Sequence, residues 1–200
     1  MFPAKFIESI NGWVSLAEAQ ALYAAASTVS NGCIVEVGAC EGRATVALSL
    51  GAPCGWGAMI FAVDPHEEFT GAFGSRYGPE NRKGFYEAMI AIGGGENVHL
   101  TNLSSEAISP GWNELVGMLL IDGDPSYEGV SRDWECWQPH LVARAILAFA
   151  NSTDERYGPC KLVRELKEAG QLSDIYLVES VTFARHVKPS GKDFLKNIFF

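Results

Sequence analysis

Two stretches of this chain set glycine and carboxylate where they could grip a small molecule. The first is Glu36-Val37-Gly38-Ala39-Cys40-Glu41-Gly42, an ExGxxxG loop that follows an apolar run and leads straight into a helical pattern. Glycine at 38 and 42 lets the backbone turn tightly and come close to a ligand, while the start of the following helix offers unpaired N–H groups to a carboxylate or phosphate. A dinucleotide fingerprint would read GxGxxG, because its second glycine makes room for a pyrophosphate. Cys40 stands in that place. With Glu36 and Glu41 flanking it, the loop suits a ligand that carries an ammonium group beside its carboxylate. The second stretch is Asp64, closing the next apolar run, where a carboxylate can accept hydrogen bonds from both hydroxyls of a ribose. The loop alone is equally consistent with a plain glycine turn in which Glu36 caps a neighbouring helix. Adding Asp64 tips the reading to S-adenosylmethionine rather than NAD.

The elements that would hold these residues follow from the hydrophobic pattern. Residues 34–37, apolar but for Glu36, and 59–63 are short runs of the kind expected of strands covered on both faces, and 43–50 reads as the helix between them. Strand, helix and strand in about thirty residues make a right-handed βαβ unit. The alternation continues with a helix carrying Phe85, Met89 and Ile92 on one face, strands at 98–100 and 116–121, a helix with the apolar stripe Val130, Trp134, Trp137 and Leu141, and a strand at 145–149. Trp134 and Trp137 sit at core spacing and are assigned to packing. After a helix near 162–169, runs at 175–178 and 181–187 are too close for a crossover and should pair antiparallel. Ahead of the core, Leu16, Ala19, Tyr23 and Ala26 share a helical face, with Ser15 and Glu18 forming a capping box. The expectation is one domain over 1–200, with 1–30 as a helical extension and 67–79 as a mobile loop beside the site.

Composition narrows the function. Fifteen Lys and Arg against 24 Asp and Glu give a net charge of −9 without a basic stripe, which argues against nucleic acid as a partner. No apolar stretch approaches the roughly 20 residues of a bilayer span, and the first residues lack a secretory pattern, so no membrane association and a cytoplasmic location are expected. Five scattered cysteines without a CxxC pair fit neither a disulfide framework nor a zinc site and read as small buried apolar residues. The apolar tail, 194–200, could dock on the sheet or on a second subunit, which leaves a homodimer open.

The segments IVEVGACEGRATVALSL (34–50), FAVDPHE (61–67), LLIDGDPSYEGVSRDWECWQPHL (119–141) and, more weakly, AILAFANS (145–152) resemble class I methyltransferases. Within them they are most similar to the small bacterial branch that includes macrocin-type sugar O-methyltransferases, with a distant likeness to catechol O-methyltransferases. The resemblance implies an α/β, Rossmann-like three-layer sandwich whose seven-stranded, mostly parallel sheet has the order 3-2-1-4-5-7-6 and ends in an antiparallel C-terminal hairpin. It implies that Glu36, Gly38, Ala39 and Gly42 line the methionine end of S-adenosylmethionine and Asp64 its ribose. Ser104 and Ser105 would lie near the adenine, and Asp122 and Gly123 would face the sulfonium. The chain also departs from the pattern. Pro125 replaces the usual histidine after IDGD, Ala150-Asn151 replaces histidine and aspartate, and Val142-Ala143-Arg144 stands where a glycine pair is usual. Asp122 or Asp124 with the neutral Asn151 is a thin ligand set for magnesium, so a divalent metal is doubtful.

Methyl transfer from a sulfonium is an in-line displacement, in which the protein chiefly holds donor and acceptor near attack distance. Candidate bases are His66, whose ordinary pKa suits neutral pH, and Asp124 and Tyr127 at the end of the fourth core strand. His66 reads equally well as a loop histidine packed on the cofactor. Phe69, Phe73, Arg76 and Tyr77 are the candidate acceptor contacts. The function expected is methyl transfer to a small-molecule acceptor, at oxygen. A degenerate S-adenosylmethionine-binding protein and an NAD-type oxidoreductase are the alternatives.

Overall fold

A computed structural model describes residues 2–71, 74 and 76–188. Phe73 and the apolar tail therefore lie outside the described residues. The short apolar runs become β1 (Cys33–Val37), β2 (Ile60–Val63), β5 (Val98–Thr101), β6 (Val116–Ile121) and β7 (Leu141–Phe149), followed by β8 (Leu172–Val178) and β9 (Val181–His186). They form a seven-stranded sheet in the order β5-β2-β1-β6-β7-β9-β8. The first five strands in that order run parallel, and β9 is antiparallel to both β7 and β8. This is the Rossmann-like arrangement expected, with the closing hairpin where the spacing placed it. Burial of every residue in β1 and β6 explains the unbroken apolar sequence of β6 and, Glu36 excepted, of β1, because helices cover both faces of these central strands.

Two apolar clusters sit on opposite faces of the sheet. One packs α2 (Leu16–Ser27), α3 (Arg43–Gly51) and α4 (Pro79–Ala91) through residues such as Leu22, Leu48 and Phe85. The other packs α6 (Tyr127–Trp137) and α7 (Gly158–Glu168) through Val130, Trp134, Trp137, Leu162 and Leu166. Both tryptophans are core residues, as their spacing indicated. The Ser15–Glu18 capping box forms at the start of α2, and Glu18 additionally accepts from the Ser180 backbone N–H and hydroxyl, tying α2 to the β8–β9 turn. Three features differ from the sequence reading. β7 starts four residues ahead of the apolar run, and its strand passes Arg144 at φ +60°. The segment read as an open loop holds a short hairpin, β3 (Phe69–Thr70) and β4 (Arg76–Tyr77). Among the cysteines Cys33 is buried but Cys54 is exposed, so the apolar-core reading fails for Cys54. No helix among the described residues is long and apolar enough to cross a membrane.

Candidate functional site

At the carboxyl ends of β1, β2 and β6 the sheet opens into a cavity of about 600 Å³. Gly38, Ala39, Gly42, Asp64, His66, Ser104, Ser105, Asp122, Gly123 and Asp124 all lie on its wall, so the structure brings together ten of the twelve residues named for the cofactor or for catalysis. This is the crevice where open α/β sheets bind ligands. The β1 loop reaches it by an unusual path. Gly38 has φ +86°, and a Cβ there would stand 2.3 Å from the Asp122 carbonyl oxygen, so only glycine lets the β1 and β6 ends approach so closely. Cys40 also takes a left-handed conformation, at φ +47°.

Asp64 closes β2 and holds that path in place. Its Oδ2 accepts the Cys40 N–H at 2.8 Å and its Oδ1 the His66 N–H at 2.8 Å. A second layer of bonds surrounds it. The Asn102 side-chain amide donates to the Asp64 carbonyl oxygen at 3.0 Å, which fixes that amide nitrogen as a donor, and it also lies 3.0 Å from His66 Nδ1. Nδ1 must therefore accept, and Nε2 carries the proton and donates to the Cys40 carbonyl at 2.8 Å. Both ring nitrogens of the buried His66 are thus engaged, in a closed ring of bonds linking the ends of β1, β2 and β5. His66 lines the cavity as part of that brace.

The remaining candidates divide. Glu36 is fully enclosed beneath the loop and does not reach the cavity wall. Its Oε2 accepts the Thr45 hydroxyl at 2.6 Å while Oε1 has no partner. Burial pushes its pKa up to about 8, with the charges of Asp122 and Asp64 adding and the Thr45 bond opposing. A carboxyl that titrates near 4.5 when unfolded and near 8 when folded binds its proton more tightly in the native state. Its stabilising contribution is whole below about pH 4.5 and is lost as pH rises to about 8. Glu36→Gln should therefore flatten the thermal-stability profile between those pH values, removing a decline of up to about 5 kcal/mol. Melting curves that keep the parent slope would refute the assignment. Asp122, on the wall, is raised to about 7 by burial, with the charge of Glu18 adding. Asp124 turns the chain into α6: Oδ1 accepts the Ser126 N–H and Oδ2 the Ser126 hydroxyl, both at 2.9 Å. Tyr127 does not face the cavity. Its hydroxyl donates to Glu165 Oε2 at 2.7 Å and Lys161 Nζ lies 3.6 Å over its ring, so it joins α6 to α7.

Three wall features were missed in the sequence. Asp133, 8% exposed, stands on α6 beside Ser105, and Ser105 Oγ accepts the Trp137 indole N–H at 3.0 Å. Burial raises Asp133 to about 6, against the Ser105 hydrogen bond. A readable sign existed, since Asp133 falls three residues after Val130 and four before Trp137, on the buried face of the helix. The second feature is the segment 10–14. Arg43 at the start of α3 donates through Nε to the Ile10 carbonyl at 2.6 Å and through Nη1 to the Val14 carbonyl at 2.8 Å, setting Trp13 at the cavity mouth. The third is Tyr157, on the wall just ahead of α7. Of the expected acceptor contacts, Phe69 and Tyr77 line the cavity with rings stacked at 5.9 Å, and the exposed Arg76 does not.

Comparison with known proteins agrees with the fold. Among solved structures, an SAH-bound Podospora anserina methyltransferase superposes at a TM-score of 0.66 with 16% identity, over 91% of this chain and 85% of its own length. The O-methyltransferase from Bacillus cereus in complex with SAH gives 0.66 and 12%, covering 91% of this chain and 90% of that one. The O-methyltransferase TomG from Streptomyces achromogenes, in complex with SAM and involved in tomaymycin synthesis, gives 0.64 and 13%, over 88% and 82%. At such identities these likenesses speak for the fold. No curated protein matches the chain in sequence. The profile of a methyltransferase domain matches residues 35–152, which is more than half of the chain and spans the β1 loop, Asp64 and the β6 end. The chain belongs to the methyltransferase domain family, the S-adenosylmethionine-dependent class that its motifs resemble.

Proposed function

We propose that this methyltransferase passes the methyl group of S-adenosylmethionine to an oxygen of a small acceptor held in the cavity at the strand ends. The observation that carries the reading is that Asp64 and the Gly38–Gly42 turn, bonded to each other through Cys40, open into the same hollow as Asp122 and Gly123. The residues fit the cofactor. Gly38 keeps side-chain bulk out of the cradle, the first turn of α3 presents N–H groups unsatisfied within the helix, and carboxylates outnumber cations on the wall, as a net cationic ligand requires. When bound, the cofactor supplies an electrophilic methyl group on sulfur.

The chain's own residues would then divide the work. Asp64 receives the ribose hydroxyls through lone pairs not used by Cys40 and His66. Ser104 and Ser105 border the adenine, and Asp122 with Gly123 border the sulfonium. Asp124 is the base best placed to take the acceptor's proton, since it is on the wall and each of its oxygens retains accepting capacity. Positioning is assigned to His66, because using either nitrogen for proton transfer would break the brace around Asp64. The donor set does not favour a divalent metal: Asn151 is neutral, so Asp122 or Asp124 beside it makes a thin set of hard oxygen ligands. Calorimetric titration with SAH tests the cofactor half, with one site of micromolar affinity expected. Transfer of tritiated methyl from S-adenosylmethionine to a panel of phenols and sugars tests the other half. Absence of SAH binding at high micromolar concentration overturns the reading.

A further inference from the structure

The acceptor side of the cavity has a composition of its own. It is formed by parts outside the sheet: Trp13 on the segment tied down by Arg43, Phe69 and Tyr77 on the β3–β4 hairpin, and Tyr157 ahead of α7. Asn81, in the first turn of α4 directly after that hairpin, donates to Glu41 Oε1 at 3.0 Å, which places the hairpin over the methionine end of the β1 loop. Trp13 is 72% exposed and Phe69 40%, so large aromatic surface stands in water beside a cavity that could cover it. On the cavity wall beside the hairpin rings the charges are acidic, and Arg76 of the same hairpin is exposed and lies off that wall. Glu67, Glu68 and Asp124 lie on this part of the wall. The described wall residues include two cations, and each is committed. Arg43 donates to the carbonyls of Ile10 and Val14, and Arg132 pairs with Glu106 at 3.2 Å on the adenine side.

We propose that the acceptor is an aromatic hydroxyl compound bearing a protonated amine, and that Glu67 and Glu68 select it against its carboxylate and phosphate analogues. The inference rests on the S-adenosylmethionine reading. A ring gains by covering Trp13 and the Phe69–Tyr77 stack, and a cation also favours the faces of such rings. An ammonium near the glutamates is attracted, whereas a carboxylate or phosphate meets like charge with no uncommitted cation among the described wall residues to receive it. Because Glu67 and Glu68 are exposed, their pull is partly screened and should weaken with salt.

The test uses the full chain saturated with SAH and three phenols of one shape: tyramine, its neutral alcohol analogue tyrosol, and 4-hydroxyphenylacetate. Binding measured by calorimetry should follow that order, with tyramine about tenfold tighter than 4-hydroxyphenylacetate at low salt, the size expected of two partly hydrated charges. The ratio should shrink in 0.5 M sodium chloride and in the double variant Glu67→Gln, Glu68→Gln. Equal or stronger binding of the anion overturns the proposal, as does a ratio unchanged by the double variant or a failure of all three phenols to bind. Those results leave the cofactor assignment standing when SAH itself binds. Absence of SAH binding removes both.

Discussion

Gly38→Ala will leave a protein that melts roughly 10 °C below the parent and binds SAH poorly or not at all. Two costs combine. The left-handed φ of +86° carries a penalty on the order of 1–2 kcal/mol for a residue with a Cβ. The added carbon would also stand 2.3 Å from the Asp122 carbonyl oxygen and 2.7 Å from the Gly123 Cα, both backbone atoms that cannot rotate aside. Relief requires β1 and β6 to separate at their carboxyl ends, where overpacking costs a further 1–3 kcal/mol or so. A total of roughly 3–4 kcal/mol corresponds to that melting shift for a chain of this length. Separation of those ends also widens the cradle under the cofactor. Differential scanning calorimetry with and without SAH reads both effects, and a melting temperature within 2–3 °C of the parent would contradict the tight approach.

Asp64→Ala carries the second large effect, on affinity. The carboxylate accepts the Cys40 and His66 N–H groups, so its removal frees two backbone donors and, on the proposed cofactor reading, deletes the ribose contacts as well. Hydrogen bonds to a charged group contribute about 1.5–3 kcal/mol each. Loss of the ribose pair alone should weaken SAH by roughly 100-fold, and slackening of the loop adds to it. Titration of the variant against adenosine as well as SAH separates the causes, since both ligands should weaken if the ribose is held there. A change below threefold for SAH would detach Asp64 from the cofactor.

What could be read in the sequence was whatever depends on period and on strand ends. β6 was expected at its observed bounds because all six of its residues are buried, so nothing polar interrupts the run. The antiparallel hairpin followed from a gap too short for a crossover. The β1 loop and Asp64 stood out because glycine and carboxylate directly after an apolar strand run mark the end of a parallel strand, where open α/β sheets bind ligands. Roles set by distant partners were not legible. The His66 ring is fixed by Asn102 and Cys40, 36 and 26 residues away, and Tyr127 is drawn to Glu165, 38 residues on. Glu36 sits beneath the loop because Thr45, one helical turn into α3, takes its carboxyl inward. Nothing local announces such pairings. The 10–14 segment escaped notice for the same reason, since its tie is an arginine side chain reaching back to carbonyls more than 28 residues earlier.

Arg43 joins the 10–14 segment to the first turn of α3, while the β3–β4 hairpin is carried between β2 and α4. The two halves of the hollow therefore have separate origins: strand ends supply one, and appended pieces of chain supply the other. Drift in the appended pieces leaves the buried sheet untouched, so descendants of this scaffold can exchange one acceptor for another while the grip on the donor is inherited intact. A library confined to positions 11, 13, 67–69 and 77 would sample that freedom at little risk to folding.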